Sequence, residues 1–117
     1  MVTMAVGSAA RSALPAAAKS ALPSESKRAI ADGFDEKLTR DQRAFLYMPF
    51  QHSEDRDDQA RAIALYAMLG KPLNLDFALR HQAVVDRFDR FPHRNALLGR
   101  ASTEEERSFL TEPGSSF

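Results

Sequence analysis

Apolar residues recur at helical spacing along most of the chain, and two segments show this pattern most clearly. Side chains three or four positions apart lie on one side of an α-helix, and no segment alternates apolar and polar residues as a half-buried strand does. The two apolar faces comprise Ala60, Ile63, Ala64, Ala67 and Met68 in one segment, and Phe77, Val84, Phe88 and Phe91 in the next. This pattern predicts an all-α fold of five or six helices between Ser24 and Leu110, arranged as antiparallel helical hairpins.

Capping residues and helix breakers mark the ends of these helices. A serine, threonine, asparagine or aspartate before an apolar run accepts a hydrogen bond from a free N–H group of the first turn, and a glutamine or glutamate three positions later completes a capping box. The expected caps are Ser24, Thr39 with Gln42, Ser53, Asn74 or Asp76, and Ser102 with Glu105. A short helical turn is expected at residues 96–98, before Gly99.

The first 23 residues differ in composition from the rest. They are rich in alanine and serine, they contain two prolines, and no acidic residue precedes Glu25. We expect residues 1–23 to be a disordered tail, a weak helix or the result of a truncation, and residues 24–117 to form a single helical domain. A transit peptide for an organelle has a similar composition, and a cytoplasmic location without such a peptide is the leading expectation.

The charge balance and the missing cysteine exclude several classes of protein. Lysine plus arginine and aspartate plus glutamate each number 16, so the formal net charge is zero. Nucleic-acid binding through a broadly basic surface is therefore not expected. No disulfide or thiolate chemistry is available without cysteine, and no apolar run approaches the ~20 residues that cross a bilayer. We expect a soluble protein without a membrane partner.

Two polar segments carry the residues with candidate chemistry. In the first, His52 is followed by Glu54, Asp55 and Gln59. An acidic residue beside a histidine can tune it for proton transfer, and this segment can also contact a ligand. The alternative is structural, because acidic side chains in a first helical turn complement the helix dipole.

The second polar segment surrounds a predicted helix end. Guanidinium groups bind carboxylates and phosphates through paired hydrogen bonds; the alternative is that these arginines bond helix carbonyls or pair with Glu54, Asp55 or Asp58. The segment contains Arg87, Arg90, His93, Arg94 and Asn95. His81 lies on the apolar face before it, either as a core histidine or as part of a pocket.

Metal and cofactor sites are not expected. The three histidines, His52, His81 and His93, are far apart in sequence, and no compact metal-binding motif contains two of them. The chain also lacks a glycine-rich phosphate loop, a nucleophile elbow and a dinucleotide fingerprint. The sequence therefore predicts neither a metal ion nor a bound cofactor.

Several stretches together resemble one bacterial family. YMPFQHSEDRDDQ, FALRH, RFDRFPHRNALLGR and STEEERSFL, with the closing PGSSF, are similar in order and spacing to the bacterial domain-of-unknown-function family 924 over residues 25–117. The resemblance implies a tetratricopeptide-like helical array. Members carry a further N-terminal region whose motif is similar to RFPHRN here, so the chain resembles the second of two copies and is expected to be truncated at its N-terminus.

The resemblance supports the fold more than an activity. Our leading interpretation is a non-enzymatic binding or scaffold module, in which a concavity holds an anionic small molecule or a peptide carboxylate. Its expected lining is His52, His81, Arg87, Arg90 and Asn95. The alternatives are a hydrolase-like enzyme that acts on a phosphate-bearing small molecule, with a histidine as acid–base and arginines stabilising charge, and a degenerate copy without activity.

Two spatial expectations follow from these interpretations. The turn at residues 52–55 and the turn at residues 91–95 should lie together, with Arg90 or Arg94 within about 4 Å of Glu54, Asp55 or Asp58. A truncated domain should also expose an apolar face through which it binds a protein partner or a second copy. The candidates for that face are Phe45, Leu46, Tyr47 and Phe50.

Overall fold

The computed structural model describes residues 24–117, which contain α-helices and no strand. The helices are α1 (Ser24–Ala31), α2 (Arg40–Leu46), α3 (Met48–Gln51), α4 (Arg56–Leu69), α5 (Pro72–Phe88) and α6 (Glu104–Phe109), with 3₁₀ turns at Phe34–Lys37 and Pro92–Arg94. The all-α prediction is thus confirmed, while the tetratricopeptide-like arrangement and the single-domain division stay predictions. The expectation for residues 1–23 lies outside the described residues.

The central unit is the hairpin of α4 and α5, the most extensively packed pair of elements in the described chain. Only Gly70 and Lys71 separate these helices. Gly70 has a φ of 73°, a left-handed conformation in which a side chain would be strained. The Arg40 guanidinium then donates to the carbonyls of Leu69 (3.0 Å) and Gly70 (2.7 Å), which ties α2 to the end of α4.

The predicted helix starts are correct for α2 and wrong by one or more residues for α4, α5 and α6. The Thr39–Gln42 capping box forms as expected. Helix α4 is capped by Asp55 rather than Ser53, whose hydroxyl instead donates to Asp58 at 2.7 Å and accepts from the Asp55 N–H. The capping box of α6 uses Thr103 and Glu106 rather than Ser102 and Glu105.

The limits of α5 also differ from the prediction. It begins at Pro72 rather than after Asn74 or Asp76, because proline needs no hydrogen-bond acceptor in a first turn. It ends at Phe88, where Asp89 takes a left-handed conformation with a φ of 63°. Phe91 therefore lies beyond the helix whose face it was expected to share. Residues 96–98 form turns, and the helical turn lies earlier, at Pro92–Arg94.

The core has two parts along the α4–α5 hairpin. The larger part joins α2, α3, α4 and α5 through Ala44, Tyr47, Phe50, Ala62, Tyr66, Leu69 and Ala78. Within it the Tyr66 hydroxyl donates to the Ala44 carbonyl at 2.7 Å, and the Tyr47 ring meets the Tyr66 ring edge-on at 6.0 Å. The smaller part consists of Val84, Val85 and Phe91, with Phe88 and Phe109 packed against it.

The expected exposed apolar face is only partly present. Phe45 is 75% exposed, but Tyr47 and Phe50 are buried at 4% and 0% because the α4–α5 hairpin covers them. Conversely, Phe77 is half exposed although its spacing placed it on the buried face of α5. Within residues 24–117, no helix is both long enough and apolar enough to cross a membrane.

The burial of Phe50 predicts a large effect of its removal. Phe50→Ala deletes a fully buried ring, and phenylalanine-to-alanine changes in cores cost about 3–5 kcal/mol. We expect urea unfolding to show a loss of that size. Met68→Ala, at an 87% exposed position, is the matched control and should change the free energy of unfolding by less than about 0.5 kcal/mol. Equal losses in the two variants would contradict this account of the core.

Candidate functional site

The turn before α4 and the loop after α5 lie side by side, as predicted from their charges. The Glu54 carboxylate accepts from the backbone N–H of Phe91 at 2.8 Å, and the Arg100 guanidinium donates to both its oxygens at 3.0 and 3.1 Å. Arg94 donates to the His52 carbonyl at 2.8 Å. The two turns are thus joined, but the expected pairing of Arg90 or Arg94 with an acidic residue of the first turn is wrong. Arg100 is the partner of Glu54.

Arg90 is committed to a different carboxylate. Its guanidinium forms a bidentate pair with Glu106 at 2.7 and 2.8 Å, and both side chains are at least nine-tenths buried. Asn95 donates to the same Glu106 at 3.3 Å and to the Ser102 hydroxyl at 3.0 Å. Burial on its own would raise the pKa of Glu106, but the bonds from Arg90 and from the Thr103 N–H outweigh burial and lower it. Arg90 and Asn95 therefore anchor α6.

Three further predicted site residues also have structural contacts. Arg87 pairs with Glu105 at 3.2 Å on the surface. Asp55 caps α4, and Gln59 donates to the carbonyls of Gln51 and Ser53, each at 2.7 Å. These residues fix the entry into α4 and the surface of α5 rather than lining the space between the two turns.

The four remaining predicted residues, together with Phe91, form what we call the histidine–arginine cluster, defined by His52, His81, Phe91, His93 and Arg94. The centroid of the His81 ring lies 5.4 Å from that of His52 and 5.6 Å from that of Phe91. The His93 ring lies 5.9 Å from Phe91, and the Arg94 guanidinium stacks over the Phe91 ring at 4.6 Å. Thus α5, the turn at residues 52–55 and the turn at Pro92–Arg94 each contribute to one cluster.

The three histidines are held neutral. Burial lowers the pKa of His52 to about 4, helped by the repulsion that a protonated His52 would meet from a protonated His81 and from Arg94. Burial also lowers the pKa of His81 and of His93, and the nearby Arg94 acts in the same direction. A single cation therefore dominates the cluster at neutral pH, because arginine keeps its charge even when burial lowers its pKa.

His81 has a fixed tautomer and a free acceptor. Its Nδ1 lies 2.7 Å from the Phe77 carbonyl, which can only accept, so Nδ1 carries the proton and Nε2 presents a lone pair. Nε2 of His81 and Nδ1 of His93 are both buried, and neither has a hydrogen-bond partner among residues 24–117. An unpartnered buried polar atom is costly unless a ligand or water meets it.

Four residues outside the predicted set also belong to this region: Phe91, Arg100, Glu106 and Phe117. Arg100 pairs with Glu54, and Glu106 pairs with Arg90, so these two residues take the places that Arg90 and Glu54 were expected to fill for each other. The types of charge in the sequence do not reveal this choice. Phe117 stacks on His81 with ring centroids 3.9 Å apart. Its place in the closing PGSSF was visible in sequence, but no spacing rule connects it to His81.

Other surface features of the described chain lie elsewhere. A depression between α2 and the start of α5 is lined by Arg40, Lys71 and Asn74 among others, and by no member of the histidine–arginine cluster. Lys71 there pairs with Asp41 at 2.6 Å. Within residues 24–117 no three histidine, aspartate or glutamate side chains converge in a way that could hold a metal ion.

The fold and site define an all-α domain in which an arginine lies near three histidines with lowered pKa values. The model of the family described as "Bacterial protein of unknown function (DUF924)" matches residues 16–114. The chain belongs to this family, as its motifs indicated. A solved protein of unknown function from Agrobacterium tumefaciens is 42% identical, with a TM-score of 0.72. That alignment covers 80% of this chain and 53% of the other, so the chain spans about half the length of that relative. No match was found among curated proteins.

The neutral histidines predict a loss of stability on mild acidification. Because burial and nearby charges lower their pKa values below the ordinary 6.5, and that of His52 to about 4, the unfolded chain binds more protons between these limits. The stabilisation is therefore complete above pH 6.5 and is lost as the pH falls toward 4. We expect the Tm to fall by several degrees from pH 7 to pH 5, and His52→Gln to reduce that fall. An identical pH dependence in the two proteins would contradict the assignment.

The buried Arg90–Glu106 pair predicts a second stability effect. Arg90→Met leaves the Glu106 carboxylate buried without its cation, which typically costs about 3–5 kcal/mol. Asp76→Asn breaks the exposed Arg80–Asp76 pair and should cost less than about 1 kcal/mol. Both free energies are measurable by urea unfolding. A loss of under 1 kcal/mol in Arg90→Met would show that the pair does not anchor α6.

Proposed function

We propose that this domain is a binding module that holds an anionic small molecule or a peptide carboxylate at the histidine–arginine cluster. The observation that carries the proposal is that Arg94 lacks an ion-pair partner among the described residues. Within the described part of the chain, no carboxylate forms an ion pair with its half-buried guanidinium, whose one hydrogen bond is to a backbone carbonyl. The Glu54 carboxylate is near enough to act against the lowering of the Arg94 pKa, but it bonds to Arg100 and to the Phe91 N–H. A partly desolvated guanidinium without an ion pair of its own is a favourable partner for carboxylate or phosphate oxygens.

The surroundings of Arg94 support the same proposal. Arg100, the other nearby cation, is already neutralised by Glu54. The three histidines add no competing charge, because their pKa values are lowered. Nε2 of His81 is an acceptor, so it suits a ligand hydroxyl or N–H next to the anionic group. The ligand we expect therefore combines an anionic group with an adjacent hydrogen-bond donor.

The membership of the proposed site differs from the one expected from sequence. Arg87, Arg90 and Asn95 are replaced by Arg94, His93 and Phe91, because the first three are occupied by Glu105, Glu106 and Ser102. His52 and His81 remain. The site is thus smaller than the predicted concavity. Within residues 24–117 it has one arginine without an ion pair, Arg94, instead of the two arginines expected.

A hydrolase-like activity on a phosphate ester is the second candidate, and the orientation of His81 favours it. A histidine whose Nδ1 proton is held by an acceptor presents Nε2 as a general base, and His81 has this arrangement through Phe77. Incubation with p-nitrophenyl phosphate distinguishes the candidates. Release of nitrophenolate that disappears in His81→Gln supports catalysis, whereas saturable binding without release supports the binding module.

Removal of the Arg94 charge tests the proposed function. We expect inorganic phosphate and acetate to bind the full chain with millimolar affinity, to shift the NMR signals of residues 52, 81 and 93–94, and to bind Arg94→Gln at least tenfold more weakly. Arg28→Gln removes the same charge from an exposed position in α1 and should leave the affinity unchanged. Potassium chloride at matched ionic strength corrects for general salt effects. Equal affinities in all three proteins, or no binding to any, would contradict the proposal.

A further inference from the structure

The histidine–arginine cluster is covered by a single ring from the end of the described chain. The Phe117 ring is stacked on His81 with centroids 3.9 Å apart and planes inclined by 30°. The same ring meets Phe91 and His93 edge-on, at 6.0 and 5.9 Å. These distances are typical of favourable aromatic pairs, so the cluster has a position that fits one flat ring with three aromatic neighbours.

Phe117 behaves as a cover rather than as part of the core. It is 40% exposed, whereas Phe91 is fully buried and His81 is only 3% exposed. Of the ring contacts made by His81, the one with Phe117 is the shortest. The burial of His81 therefore depends on a ring that itself faces solvent, and moving that ring away would open the face of His81.

The segment that carries this ring is lightly attached. Ser115 is buried and donates to the Leu110 carbonyl at 3.2 Å, but residues 111–114 and Ser116 are exposed. Gly114 has a φ of 78°, the left-handed conformation that turns the chain back toward the cluster. The hydrogen bonds of Thr111 and Glu112 only close the end of α6. Residues 113–117, held among the described residues by the Ser115 bond and the ring contacts, can give way to a ligand that makes the same ring contacts.

We propose that the histidine–arginine cluster binds a ligand in which a planar aromatic ring carries the anionic group, and that Phe117 fills the ring position until such a ligand displaces it. This inference rests on the proposed function, since Arg94 would hold the anionic group. Aryl phosphates and aryl carboxylates supply the ring and the anionic group, and a hydroxyl or amino substituent on the ring would supply the hydrogen-bond donor: the ring replaces Phe117 on His81 and the charge lies toward Arg94. While Phe117 fills the ring position, a ligand cannot bind there. The apparent affinity for the ligand is therefore the intrinsic affinity multiplied by the fraction of time that the position is empty.

Phe117→Ala separates the ring position from the anion position. We expect phenyl phosphate to bind Phe117→Ala at least tenfold more tightly than the unaltered chain, measured by calorimetry. Inorganic phosphate should bind both proteins within twofold, and cyclohexyl phosphate, which is not planar, should gain less than phenyl phosphate. Phe45→Ala removes a phenyl ring from a 75% exposed position and is the matched control, with no expected gain. Circular dichroism and Tm verify that each variant is folded.

The outcomes distinguish this inference from the proposed function. If inorganic phosphate binds through Arg94 but phenyl phosphate binds Phe117→Ala no more tightly than the unaltered chain, the ring position does not exist and anion binding stands. If neither inorganic phosphate nor phenyl phosphate binds the unaltered chain or Phe117→Ala, both the proposed function and this inference fail. A tenfold gain that also appears in Phe45→Ala would mean nonspecific binding to exposed apolar surface and would overturn the inference.

A tryptophan at position 117 reports displacement directly. The chain contains no tryptophan, so Phe117→Trp introduces one fluorophore in the ring position. Phenyl phosphate should shift its emission to longer wavelength as the indole moves into water, and inorganic phosphate at the same concentration should leave the emission unchanged. An emission spectrum that phenyl phosphate does not alter at saturation would show that the ring stays in place and that the ligand does not compete for His81.

Discussion

The arrangement of the two turns at the site depends on the hydrogen bonds that the Glu54 carboxylate accepts. It receives two hydrogen bonds from Arg100 and one from the Phe91 backbone, and so joins segments that are 37 and 46 residues apart in sequence. The bond from Arg94 to the His52 carbonyl and the ion pair of Arg56 with Asp89 add to this attachment between the loop after α5 and the start of α4. These polar contacts act together with the burial of Phe91 and Pro92, which are both fully buried in the second turn.

This junction also determines the electrostatics of the site. By neutralising Arg100, Glu54 leaves Arg94 as the cation that faces the histidines. Burial then keeps the three rings uncharged, so that they act as flat apolar surfaces with hydrogen-bonding edges rather than as further cations. A site with one charge and several rings is suited to selecting ligands by shape, whereas a site with several arginines would attract any polyanion.

The helices and the meeting of the two polar turns could be predicted from sequence, but the ion pairs could not. Apolar spacing and capping residues act locally and predicted the helices and the Thr39–Gln42 box. The proximity of the two turns followed instead from their complementary charges. Several arginines and several acidic residues near these turns allow many pairings of similar Coulomb energy. The backbone geometry determines which pairings form. Glu106 accepts from the Thr103 N–H in the α6 capping box and also pairs with Arg90, and Glu54 pairs with Arg100. The exposure of Phe77 was equally unpredictable, because periodicity identifies a face but not what covers it.

The shortness of α6 has a consequence for how the protein opens. A helix of six residues is too short to persist alone in water, so α6 exists only while Glu106 holds Arg90 and Phe109 packs on Phe88. The chain from Arg100 onward should therefore detach as one cooperative unit, below the free energy of global unfolding, with its amides exchanging at a common rate. Each such event uncovers the histidines together with the α5 surface beside them. Access to the site is thus governed by a small local unfolding equilibrium.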